Sequence, residues 1–167
     1  MRDESIAQEG PLPIQYSADE VGRTFRELLA IFDFTEEMQT LGVGSWRVFK
    51  RRKARRYLIG ICISLWHLAL ERSFPNDAQA FAQHFAETYP LLSSRRKSGQ
   101  ALRELVKTYD DLLAEKKDGD FTTVADHIAE ALGSVGDNRR RHQLKLSLLI
   151  RARYESIFDN LIYVRQA

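Results

Sequence analysis

Cysteine is almost missing from this chain: Cys62 stands alone among 167 residues. No internal disulfide can form, so a fold of this length must be held by its own core. The start shows no secretory pattern of a basic stretch followed by an apolar one. The expected home is therefore a reducing cytoplasm.

Net charge is also nearly absent, at +2, so no partner can be argued from the total. Its distribution is uneven. The first 37 residues carry nine carboxylates against three arginines, while basic residues bunch later.

A membrane-length apolar run is lacking as well. The stretch FKRRKARRYLIGICISLWHLAL, Phe49 to Leu70, opens with six basic residues in the seven from Lys50 to Arg56. Its apolar part, Tyr57 to Leu70, is only fourteen residues, is interrupted by Ser64 and His67, and ends at Glu71-Arg72. A spanning helix needs about 20 apolar residues. The stretch reads as a core helix with a basic beginning, not as a membrane span.

Motifs for catalysis are missing too. There is no glycine-rich phosphate loop, no nucleophile elbow, and no cysteine–histidine arrangement of useful spacing. His84 with Glu87 and His127 with Glu130 have the spacing of metal ligands. On a helix, however, both glutamates point away from the apolar faces set by Phe81 and Phe85 and by Val124 and Ile128. They read as surface hydrogen-bonding groups, so no metal, cofactor or enzymatic activity is expected.

What the chain does have is helical periodicity. Val21, Phe25, Leu28, Leu29 and Phe32 follow Ser17 and Glu20, a capping-box pair. Long apolar-periodic segments run from about 46 to 72, 97 to 117 and 139 to 163, with shorter ones over 77–89 and 123–132. Gly133 reads as a helix C-cap. No alternating strand pattern interrupts them. The expected fold is all-α, a domain of about six helices over 17–167 behind a flexible lead of residues 1–16.

The segments also echo one another. Arg51-Arg52-Lys53, Arg95-Arg96-Lys97 and Arg139-Arg140-Arg141 recur at intervals of 44 residues. The apolar pattern behind them keeps register: Leu58, Ile61, Cys62 and Leu65 match Leu102, Leu105, Val106 and Tyr109. The third copy agrees at Leu146, Leu149 and Ile150 but puts Arg153 where an apolar residue is due. Stacked helix-pair units over 51–94, 95–138 and 139–167 would explain the period. Leu58, Ile61, Cys62, Leu65, Leu105, Val106, Tyr109, Leu112, Leu149 and Ile150 form the expected core.

Basic residues in a helix's first turn oppose the positive end of its dipole, so another interaction should favour them. Helix N-termini bind phosphate, and nearby arginines add charge-assisted hydrogen bonds. The candidate site is thus Lys50, Arg51, Arg52, Lys53, Arg55, Arg56, Arg95, Arg96, Lys97, Arg139, Arg140 and Arg141, forming one basic edge. Trp46 and Tyr57 lie close enough in sequence to stack on a base. The competing account makes these triplets solvated ends or partners for Asp110, Asp111, Asp118 and Asp120. Two functions follow: a module gripping the phosphates of nucleic acid, or a helical scaffold taking a partner protein's helix or tail in an apolar groove.

Overall fold

The computed structural model describes residues 16–115, 120–134 and 136–166. The expected flexible lead, apart from Tyr16, lies outside them, as does Asp118. Among the described residues there are eight helices and no strand: α1 (Ala18–Ile31), α2 (Thr35–Thr40), α3 (Val48–Ser73), α4 (Ala78–Thr88), α5 (Pro90–Ser93), α6 (Lys97–Glu115), α7 (Thr122–Ala131) and α8 (Asp137–Gln166). The fold is all-α. The six periodic segments are all helices, and α2 and α5 are additions too short for periodicity to reveal.

The chain folds around α3. Gly60 to Trp66 are buried without a break, which a helix apolar on all sides requires. Trp66 stacks face to face on Phe25 of α1, ring centroids 4.6 Å apart, and meets Phe85 of α4 at 4.9 Å. The first helix starts as its sequence asks: Ser17 Oγ accepts from the Glu20 amide at 3.1 Å, and Glu20 Oε2 accepts from the Ser17 amide at 3.2 Å.

Helix α6 runs parallel to α3. Gly60 faces Leu105 and Tyr109, Ser64 Oγ donates to the Val106 carbonyl at 3.1 Å, and His67 Nδ1 sits 3.0 Å from Asp110 Oδ2. A methyl group on Gly60 would lie 3.2 Å from Leu105 Cδ2, so the missing side chain permits this close approach. Helix α8 returns antiparallel along α7, with Gln143 Nε2 donating to the Thr122 carbonyl and Arg139 meeting Asp126. Lys53 of α3 donates to the Ala131 carbonyl at the far end of α7, and Arg72 donates to the Tyr154 hydroxyl. Helices α3, α6 and α8 therefore point the same way.

Their order differs from a stack in chain sequence. Both α6 and α8 pack on α3 rather than on each other. The continuous apolar surface of α3 explains this, because only the central position buries every side of it.

Seven expected core residues are buried: Leu58, Ile61, Cys62, Leu65, Val106, Tyr109 and Ile150. Leu105, Leu112 and Leu149 are instead half-buried. Each lies one residue, about 100° of helix, from a buried neighbour (Val106, Leu113 and Ile150). The contact seams are narrower than the apolar stripes.

Candidate polyanion interface

The parallel run of α3 and α6 brings their basic beginnings together. Arg52, Arg55 and Arg56 on α3 face Arg96 and Ser98 at the start of α6 across a cleft of about 470 Å³. Pro90 and Leu91 of α5 close one side, and Ile59 and Leu102 form an apolar floor. Among the described residues no carboxylate lines the cleft. Among the described residues, none of these four guanidinium groups has an ion-pair or hydrogen-bond partner.

The wall is built locally. Arg103, one and a half turns into α6, donates to the Leu92 carbonyl and, at 2.8 Å, to the Ser94 carbonyl, which clamps the α5–α6 turn. Gly99 lets the first turn of α6 press on that turn, since a methyl there would come within 2.3 Å of the Ser94 carbonyl oxygen. Arg96 and Ser98 are held at the rim by this contact.

The remaining basic residues divide. Arg51, Arg95, Lys97, Arg140 and Arg141 are exposed and Lys50 is partly exposed. The Lys53 ammonium is engaged by the Ala131 carbonyl at 2.9 Å and lies over the Tyr57 ring. Arg139 is committed to the fold: its Nε and Nη2 fork onto the two oxygens of Asp126 at 2.8 Å each, with Glu130 at 3.4 Å. That fork holds the Asp126 carboxyl below its ordinary range. The carboxylates that meet the third triplet are thus Asp126 and Glu130, whereas Asp110 binds His67.

Trp46 is 97% exposed in the turn before α3, and Tyr57 is half-buried with Lys53 above its ring. Phe49, 86% exposed, is the aromatic neighbour that periodicity alone passes over. It lies three residues before Arg52, and its position off the buried face of α3 was the available signal.

A second cleft, of about 580 Å³, lies farther along the α3–α6 seam around His67, Glu71 and Asp110. Its acidic groups make it a poor seat for an anion. Of the two expected histidine–glutamate pairs, His84 turns to Asp19 at 3.6 Å and His127 packs edge-on to Tyr109. Among the described residues no helix is long and apolar enough to cross a membrane.

Comparison with protein-family models, with curated proteins and with solved structures gives no match.

Proposed function

We propose that this chain is a non-enzymatic binding module that grips a polyanion, the phosphate backbone of nucleic acid, at the shared basic beginnings of α3 and α6. The observation that carries this reading is the cleft of Arg52, Arg55, Arg56 and Arg96, with no carboxylate in its lining among the described residues. Four like charges converging in one hollow repel one another, and a phosphate relieves that repulsion while accepting charge-assisted hydrogen bonds. Arg51, Arg95, Lys97, Arg140 and Arg141 extend the basic surface around it. A cytoplasmic location suits a protein whose one cysteine is a buried thiol.

The competing scaffold reading rests on the second cleft, where Leu68, Ala82 and Leu113 offer apolar surface to a partner protein. Salt dependence separates the two. Binding of labelled nucleic acid should weaken steeply as salt rises. Replacing Arg52, Arg55, Arg56 and Arg96 by Gln should flatten the plot of log affinity against log salt by about 0.7 to 0.9 for each phosphate no longer neutralised. Absence of salt-sensitive binding in the unsubstituted protein would leave the scaffold reading in first place.

A further inference from the structure

The shape of the cleft, and the residues that continue it, bear on which form of nucleic acid it takes. Duplex readers push a protruding helix or ribbon into a groove about 12 Å wide. Here the arginines line a hollow between α3, α5 and α6 instead, and its volume of about 470 Å³ is that of a small-molecule pocket. A paired backbone keeps its bases turned inward. An unpaired strand can send one phosphate, and the nucleoside attached to it, into such a hollow.

Phe49 supplies the second observation. Phe49 and Trp46 are large aromatic side chains left 86% and 97% exposed on a chain that buries Trp66 completely. With about 100° per residue, Phe49 lies about 60° from Arg52 and about 20° from Arg56 around α3. It therefore prolongs the arginine-bearing face of the cleft by one turn. Exposed aromatics beside a cationic groove are how proteins hold unpaired bases, because every base has a face to stack.

An anionic bilayer also attracts exposed Trp and Phe beside arginines. Bilayer binding, however, calls for the outer face of one amphipathic helix. These guanidinium groups come from α3 and from the turn that opens α6, and surround a concavity with an apolar floor of Ile59 and Leu102.

We infer that the cleft is a reader of unpaired nucleic acid, in which a phosphodiester seats among Arg52, Arg55, Arg56 and Arg96 while a neighbouring base stacks on Phe49. The inference rests on the nucleic-acid reading above. Ile59 and Leu102 receive the apolar edge of the inserted nucleoside, and Trp46 extends the stacking surface along the strand.

The test compares 20-nucleotide oligo(U), oligo(dU) and mixed-sequence duplexes at one salt concentration. Inorganic polyphosphate serves as a base-free polyanion, and phosphatidylcholine–phosphatidylserine vesicles serve as a membrane surface. Circular dichroism checks that each variant is folded. The unsubstituted protein should bind one or both single strands more tightly than the duplex, and the stronger of the two identifies the sugar. The paired change Phe49→Ala and Trp46→Ala, which touches no core position, should lower single-strand affinity about tenfold or more. Polyphosphate binding should be unchanged. Trp46 fluorescence should be quenched by the oligonucleotide and not by polyphosphate, with the response lost in Trp46→Phe.

Equal affinity for duplex and single strand, or single-strand binding indifferent to the aromatic pair, would overturn the inference while leaving the polyanion reading intact. Vesicle binding that depends on the aromatic pair, without single-strand preference, would overturn it in favour of a membrane surface. Failure of every nucleic acid to bind would overturn both.

Discussion

Arg153 Nε donates to Glu37 Oε1 at 2.7 Å, tying α8 to α2 across 116 residues of chain. Glu37 is 2% exposed, so Arg153 replaces the water its carboxylate has given up. The guanidinium carbon also lies 4.7 Å from the ring centre of Phe32 and 5.5 Å from that of Phe34, and Nη2 donates to the Asp33 carbonyl. These contacts explain why a charged residue stands where the apolar pattern of the third long helix calls for a hydrophobic one. Arg153→Met should cost about 3 to 5 kcal/mol, because it strands a buried carboxylate. Adding Glu37→Met should restore much of that loss, which urea unfolding of the two single variants and the double variant would measure.

Cys62 is 1% exposed, and burial pushes its thiol up to about 12, with the Arg153 charge opposing that rise only in part. Thiolate is the reactive form. In native buffer a maleimide reagent should leave the cysteine unlabelled over hours, and labelling should become rapid in denaturing urea. Prompt labelling of the folded protein would contradict the central position of α3.

Tyr109 is buried between α3 and α7, and its hydroxyl has no hydrogen-bond partner among the described residues. Burial, then the nearby Tyr57, raises its pKa, so the group stays neutral. A buried hydroxyl without a partner carries a desolvation cost. Tyr109→Phe removes that cost and keeps the ring edge against His127. It should raise stability by about 1 kcal/mol, roughly 2 to 4 °C in Tm for a chain of this size. A fall in Tm would mean that the hydroxyl has a partner.

The lines legible in the sequence were those written by local chemistry. Ser17 with Glu20 announced a helix start, and the spacing of Leu102, Leu105, Val106 and Tyr109 announced a buried helix face, of which Leu105 is only half-buried. The basic triplets marked the beginnings of α3, α6 and α8 to within a few residues. What was not legible depends on pairs far apart in the chain. Nothing near Arg153 points to Glu37, and nothing near Asp126 says that it will fork onto Arg139. The order α6–α3–α8 follows from burying α3 on all sides, a requirement of the whole core rather than of any repeat unit. The cleft was half legible: Arg52, Arg55, Arg56 and Arg96 stood out as charges. Its wall of Pro90 and Leu91 sits on a four-residue helix with no period to detect.

Acid should loosen the α7–α8 hairpin first at Asp126. The hydrogen bonds from Arg139, more than its charge, hold the Asp126 carboxyl below the ordinary value of 3.8. A lowered folded pKa means that the ionised form is the one the fold prefers. The stabilising contribution is therefore complete above that ordinary value and is lost as pH falls through the lower native one. Asp126→Asn should reduce Tm at neutral pH while making it less sensitive to pH as the pH falls below 3.8. Parallel acid curves for the variant and the unsubstituted protein would show that the fork contributes nothing.

Arg139 and the cleft arginines should separate stability from binding. Arg139 commits its guanidinium to Asp126 and Glu130, so Arg139→Gln should lower Tm and leave the salt slope of nucleic-acid binding almost unchanged. Arg52, Arg56 and Arg96 are exposed and line the cleft, with no carboxylate beside them among the described residues. Replacing those three by Gln removes mutual repulsion, so Tm should hold or rise slightly. The same change should cut the salt slope by about 2 to 3. The contrast does not depend on the absolute strength of either effect, because each variant serves as the control for the other. If Arg139→Gln flattened the salt slope as much as the triple change, the polyanion would be reaching the third triplet in spite of its internal partners, and the interface would have to extend across α8.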